Sequence, residues 1–142
     1  MTIRSIIEIN PHDIVTIDAA ASVADAVALL AERRIGALPV LDQGMVAGVF
    51  SERDVIYCLA REGAAALDRQ VRDVMTAPPV TAAPDHSVLG ALSLMTQRRI
   101  RHLPVMEGGA LAGFVSIGDL VKYRIDRIET EAAAMRDYIQ GA

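Results

Sequence analysis

The chain has 142 residues, the size of one compact domain or two very small ones, enough to bury a core and too short for a multidomain enzyme. Apolar residues make up 52% and charged residues 23%, with few aromatics, which excludes disorder and fibrous repeats. Eighteen acidic against fourteen basic side chains leave a net charge of −4, so the molecule as a whole repels a nucleic-acid backbone or an anionic membrane, and a phosphate ligand needs a local basic cluster. Apolar runs such as Ala26 to Ala31 and Val55 to Ala60 are far too short for a membrane span or signal-peptide core. The expectation is a soluble, cytoplasmic protein.

In chain order, the β-branched run Ile14-Val15-Thr16-Ile17 predicts a strand, and Ser22 follows where its hydroxyl can cap a helix. Val23, Val27 and Leu30 fall on one face of that helix. Ala37 to Leu41 and Met45 to Phe50 read as two strands joined by Asp42-Gln43-Gly44, with the glycine free to take positive φ. A second helix opens at Ser51 and carries the single cysteine, Cys58, in an apolar run that predicts a buried, inert thiol. Gly63 to Pro79 reads as linker with a short helix around Val71 to Met75 and a stop at Pro78-Pro79.

The order then repeats. At an offset of 65 residues Ser22 to Val55 falls on Ser87 to Leu120 without a gap, and fifteen of the 34 positions are identical. Val80-Thr81 stands for the first strand, and Val88, Leu92 and Met95 line the helix after Ser87. Glu107-Gly108-Gly109 repeats the turn, and Ser116 opens the second helix. Two copies are too few for a solenoid, so the expected architecture is α+β, with two strand-helix-strand-strand-helix repeats packed about a pseudo-twofold axis. The expected boundaries are 1–63 for repeat 1 with its N-terminal segment, 64–125 for a linker helix and repeat 2, and 126–142 for a C-terminal helical tail.

This order, with Ile35-Gly36-Ala37-Leu38-Pro39-Val40 and Gly48-Val49-Phe50-Ser51-Glu52-Arg53-Asp54 in one half, resembles the CBS domain, named for cystathionine β-synthase. Ile100-Arg101-His102-Leu103-Pro104-Val105 and Gly113-Phe114-Val115-Ser116-Ile117-Gly118-Asp119 match it in the other. The tandem resembles the stand-alone pair called a Bateman module, over roughly residues 5 to 125.

In each Gly-x-x-Ser-x-x-Asp junction the glycine admits a close backbone or a flat ligand, and the serine begins a helix whose amides favour an anion. The carboxylate one turn on can accept from two neighbouring hydroxyls, as a ribose diol offers. The same residues equally serve as helix caps. The resemblance implies that Ser51 with Asp54, and Ser116 with Asp119, hold ribose and phosphate of an adenosine nucleotide in two clefts.

Arg33 and Arg98 complement helix C-termini. By resemblance Arg101 and His102 contact ligand phosphates in the Asp119 cleft, whereas repeat 1 carries Gly36-Ala37 there, so the clefts are chemically unequal. Arg53 is open to two readings, a phosphate contact or a solvated surface arginine. Asn10, Val15 and Ile35, with Phe114, complete the expected Asp119 cleft. Met75, Thr76, Val80 and Ile100 complete the Asp54 cleft. Each apolar member is equally read as core.

No Walker loop, Gly-x-Gly-x-x-Gly or zinc spacing is present, and His12, His86 and His102 are scattered, so no catalytic or metal residues are expected. In the tail, Val121, Ile125, Ile128, Ala132, Met135 and Ile139 follow a four-three rhythm, the a/d spacing of a coiled-coil seam. They either pack on their own domain or form a dimer contact; a homodimer is the favoured reading. The expected function is a non-catalytic regulatory module with no required cofactor. It would bind AMP foremost, or ADP, ATP or an NAD-like dinucleotide, and signal to an unknown effector protein without contacting nucleic acid or membrane. The alternative is a structural homodimerisation protein with vestigial clefts.

Overall fold

The computed structural model describes residues 1–9 and 13–141. In order these form α1 (Ile3–Ile9), β1 (Ile17–Asp18), α2 (Val23–Arg33), β2 (Ala37–Asp42), β3 (Met45–Ser51) and α3 (Glu52–Glu62). A 3₁₀ turn (Gly63–Asp68), α4 (Val71–Val74), α5 (Val88–Arg98), β4 (His102–Glu107), β5 (Ala110–Ser116) and α6 (Ile117–Gly141) follow. They make two compact units, one of residues 13–81 with 108–111, the other of residues 1–9, 82–107 and 112–141.

The repeat sequence builds the same local devices twice. The Ser22 hydroxyl accepts the Asp25 amide at 3.0 Å and the Ser87 hydroxyl the Gly90 amide at 2.9 Å, starting α2 and α5. Both helices stop where Arg34 and Arg99 turn left-handed, at φ 54° and 55°. The next amides, of Ile35 and Ile100, then close back on the Leu30 and Met95 carbonyls. Each hairpin tip has two consecutive positive φ values, 53° and 79° at Gln43-Gly44 and 59° and 80° at Gly108-Gly109. That is the type I′ geometry whose twist matches the flanking strands.

The first strands are shorter than the β-branched runs predict. Only Ile17 and Asp18 pair with β2, in parallel, and in the second repeat the pairing shrinks to one bridge between Ala82 and Val105. The chain turns away at once in the first repeat because the Asp18 carboxylate takes the Ala20 amide at 2.8 Å.

The N-terminal segment packs with the second repeat: Ile3 and Arg4 donate their amides to the His86 and Pro84 carbonyls, both at 2.9 Å, and Ile3 and Ile6 are buried. Arg4 adds contacts to Glu107 at 2.6 Å and Asp85 at 3.3 Å, and these hydrogen bonds hold its guanidinium further above its ordinary pKa. The linker packs with the first repeat. Ala66, Val71 and Val74 join Leu38, Val40, Phe50 and Cys58 in one core, and the Val71 and Arg72 amides bond to Ala21 and Ala19. Apolar burial, not chain order, decides which repeat each helix serves. Cys58 is fully buried, its thiol donating to the Val55 carbonyl at 3.3 Å.

α6 runs unbroken from the second Ser-x-x-Asp through Gly141. Within it Leu120 is buried, whereas the apolar stripe beyond is largely exposed. Among the described residues no helix is long and apolar enough to cross a membrane.

Ile3→Ala is expected to lower stability by about 2–5 kcal/mol in urea titration, the range for truncating a buried isoleucine. Hydrogen exchange should accelerate first in α5, β4 and β5. Acceleration confined to α2, β2 and β3 would show that α1 serves the first repeat instead.

Candidate functional site

Both Ser-x-x-Asp junctions form where a strand ends and a helix begins, and both are closed hydrogen-bonded boxes. At β3–α3 the Ser51 amide donates to Asp54 Oδ2 at 2.9 Å, and the Asp54 amide donates to Ser51 Oγ at 3.4 Å. At β5–α6 the Ser116 amide donates to Asp119 Oδ2 at 2.9 Å, and the Asp119 amide to Ser116 Oγ at 3.1 Å. The next amide in each box is taken too, Glu52 bonding to the Gly36 carbonyl at 3.0 Å and Ile117 to the Arg101 carbonyl at 2.8 Å. The chain therefore satisfies much of each helix N-terminus itself, and the amides offer an anion less than the motif alone suggests.

The two carboxylates differ in what else they hold. Asp54 also accepts the Ser51 hydroxyl at 3.2 Å on Oδ2 and the Thr76 hydroxyl at 3.0 Å on Oδ1. The Oδ1 of Asp119 accepts nothing among the described residues. Thr76 is placed by a backbone exchange with Val49, donating at 2.9 Å and accepting at 3.0 Å. This approach needs Gly48: a Cβ there would stand 2.7 Å from the Thr76 carbonyl and 2.8 Å from the Met75 sulfur. Gly113 is its counterpart, where a Cβ would meet Ile7 Cγ2 at 2.7 Å.

In the second unit the Arg101–Ile117 bond ties the start of β4 to the start of α6, so Arg101 and His102 share one end of the unit with Ser116 and Asp119. The Arg101 side chain is exposed, and the His102 ring stacks on Phe114 with centroids 5.5 Å apart and planes 15° apart. In the first unit Ser51, Asp54 and Thr76 are joined by hydrogen bonds, with Met75 beside Gly48 and Arg53 exposed in the first turn of α3. Val80 is half-buried in that unit.

Val15 and Ile35 are partly buried and pack against the first unit's core. Ile100 is half-buried in the second unit. Asn10 lies outside the described residues. Sequence reasoning placed Thr76 on the adenine side and missed its bond to Asp54. A signal was available: at the 65-residue offset Thr76 falls on Pro11, so one repeat carries a hydroxyl where the other has none. Among the described residues no group of three His, Cys, Asp or Glu side chains is placed to hold a metal ion.

The CBS-domain family model matches residues 5–61 and 71–126, the two repeats with their boxes. The chain belongs to the CBS family. A CBS domain-containing mitochondrial protein of Arabidopsis thaliana, CBSX3, is 36% identical over 125 residues, covering 84% of this chain. The chain spans 61% of that relative's length. The crystal structure of a CBS-domain containing protein from Agrobacterium tumefaciens superposes with a TM-score of 0.83 at 37% identity, over 87% of this chain and 92% of that one. CBSX2, solved in complex with AMP, matches with a TM-score of 0.70 at 27% identity, over 80% of this chain and 89% of that one.

The unequal boxes of the two CBS repeats carry a stability prediction. Asp119→Ala removes one cap and is expected to cost about 1 kcal/mol, while Asp54→Ala strips a half-buried cluster of its acceptor and costs about 1–3 kcal/mol. Thermal unfolding of the two variants checks the order, and Thr76→Val in the Asp54→Ala background should add little. Equal losses would mean that the Thr76 bond contributes nothing.

Proposed function

We propose that this CBS pair is a non-catalytic regulatory module that binds an adenosine nucleotide, AMP foremost, with ADP, ATP or an NAD-like dinucleotide as the wider class. The observation that carries this reading is Asp119. Its Oδ2 is fixed by the Ser116 amide, which aims the carboxylate, and its Oδ1 has no partner among the described residues. An oriented carboxylate with an open oxygen suits a ribose diol, and charged acceptors of this kind are worth about 1.5–3 kcal/mol per hydrogen bond. Arg101, at the same end of the unit, supplies the local positive charge that an overall acidic protein needs to hold phosphate, and the His102 ring beside it adds a hydrogen-bonding group. The AMP in CBSX2 supports the ligand class.

Ser116, Asp119, Arg101, His102 and Phe114 form this unit's part of the ligand site. Asp54 favours the structural alternative at its own box, because Ser51 and Thr76 already engage both of its oxygens. In this reading the protein works in the cytoplasm, as a homodimer, and reports ligand occupancy to an effector protein. Signalling requires that the nucleotide bind two states of the module with different affinity.

The test is a thermal-shift series with AMP, ADP, ATP, NAD and 2′-deoxy-AMP on the parent and on Asp119→Ala. AMP is expected to raise the parent's midpoint, since a ligand specific for the folded state adds apparent stability. The variant, or the deoxy ligand, should lose at least tenfold in affinity. A variant that unfolds earlier yet binds AMP as tightly as the parent would make Asp119 a cap only. A parent unmoved by every nucleotide would leave the structural dimer as the reading.

A further inference from the structure

The exposed face of α6 carries a pattern that neither the fold nor the ligand site uses. Val121, Ile125, Ile128, Met135 and Ile139 are 42%, 49%, 49%, 60% and 66% exposed, so the stripe is not covered by its own chain. Ala132 completes it. In heptad terms Ile125, Ala132 and Ile139 take position a, and Val121, Ile128 and Met135 take position d. The flanking e positions are then Lys122, Glu129 and Arg136, and the g positions Arg124 and Glu131, with Tyr138 last.

These flanks distinguish the possible pairings. In a parallel, in-register pair each g residue meets the e residue five positions on in the other helix, so Arg124 faces Glu129 and Glu131 faces Arg136. Both pairs are attractive, and the symmetry doubles them. An antiparallel pair overlapping the whole stripe instead sets Glu129 against Glu129, Glu131 against Glu131 and Lys122 against Arg136, all of like charge. Within its own helix Glu131 also reaches Arg127 at 3.7 Å, a solvent-exposed contact that does not consume its charge.

We propose that the α6 stripe is the seam of a parallel, in-register two-helix coiled coil with a second copy of this chain, with Arg124–Glu129 and Glu131–Arg136 setting its direction. The inference rests on the homodimer part of the function above and supplies its geometry. The seam spans six a and d positions, about 27 Å of helix at 1.5 Å per residue. Ala132 at a central a position lets the two backbones approach closely there.

The test uses light scattering and oxidative cross-linking of the full chain without nucleotide. Ile139→Cys is expected to give a disulfide-linked dimer, because equivalent seam residues meet only in the parallel arrangement. In the full antiparallel overlap the two cysteines would lie about 27 Å apart, beyond any disulfide. The native Cys58 is buried and does not compete. Arg124→Glu or Glu129→Lys alone should raise the dimer dissociation constant about tenfold, through two reversed exposed pairs, and the double variant should restore it. All three positions lie on the exposed or partly exposed surface of α6, so the variants test pairing rather than folding. A dimer that gives no Ile139→Cys cross-link, or whose double variant fails to rescue, overturns the parallel seam and leaves the homodimer standing. A parent that is monomeric at micromolar concentration overturns both.

Discussion

The organisation of this protein depends on a close approach that only glycine permits. At Gly48 the chain following α4 lies directly on β3, with the Thr76 carbonyl and the Met75 sulfur where a side chain would otherwise stand. At Gly113, β5 meets Ile7 of α1 in the same way. Each repeat is thus completed by the short helix that precedes the other repeat in the chain. The exchange brings Thr76 within a hydrogen bond of Asp54, and it buries Ile3 and Ile6 far in sequence from the repeat they serve.

The Ser-x-x-Asp boxes show how one motif caps a helix and can still hold acceptor capacity beyond the cap. Helix termini leave donors that must be satisfied, and here serine, aspartate and a strand-entry carbonyl satisfy them within the chain. A carboxylate has more acceptor capacity than one cap uses, and what remains is set by its neighbours. Thr76 uses that capacity at Asp54, while among the described residues nothing takes it at Asp119. The two repeats are therefore similar as folds and different as sites.

α6 joins two physical regimes in one helix. Its first turn belongs to the second repeat through the Asp119 box and the buried Leu120, which nucleate and anchor it. Its remaining length exposes an apolar stripe that a helix in water has no means of covering alone, so its stability draws on the anchored end and, in the proposed seam, on a second copy of the chain. The charges beside the stripe are ordered by position, not scattered.

The sequence by itself determined the repeat, the order of elements within it, the serine caps, the glycine turns and the family. These follow from local chemistry: a hydroxyl three residues before a free amide, a glycine at positive φ, apolar spacing on one face. It also carried the asymmetry of Arg101-His102 against Gly36-Ala37, and of Thr76 against Pro11. Only the tertiary structure decided that α1 serves the second repeat and the linker the first, because burial follows complementarity of apolar surfaces and is indifferent to chain order. It also decided that the first strands shrink to one or two pairs, and that a threonine engages Asp54 while no described residue does the same at Asp119. Those outcomes depend on which groups from distant segments arrive at the same place, and no local pattern encodes that meeting.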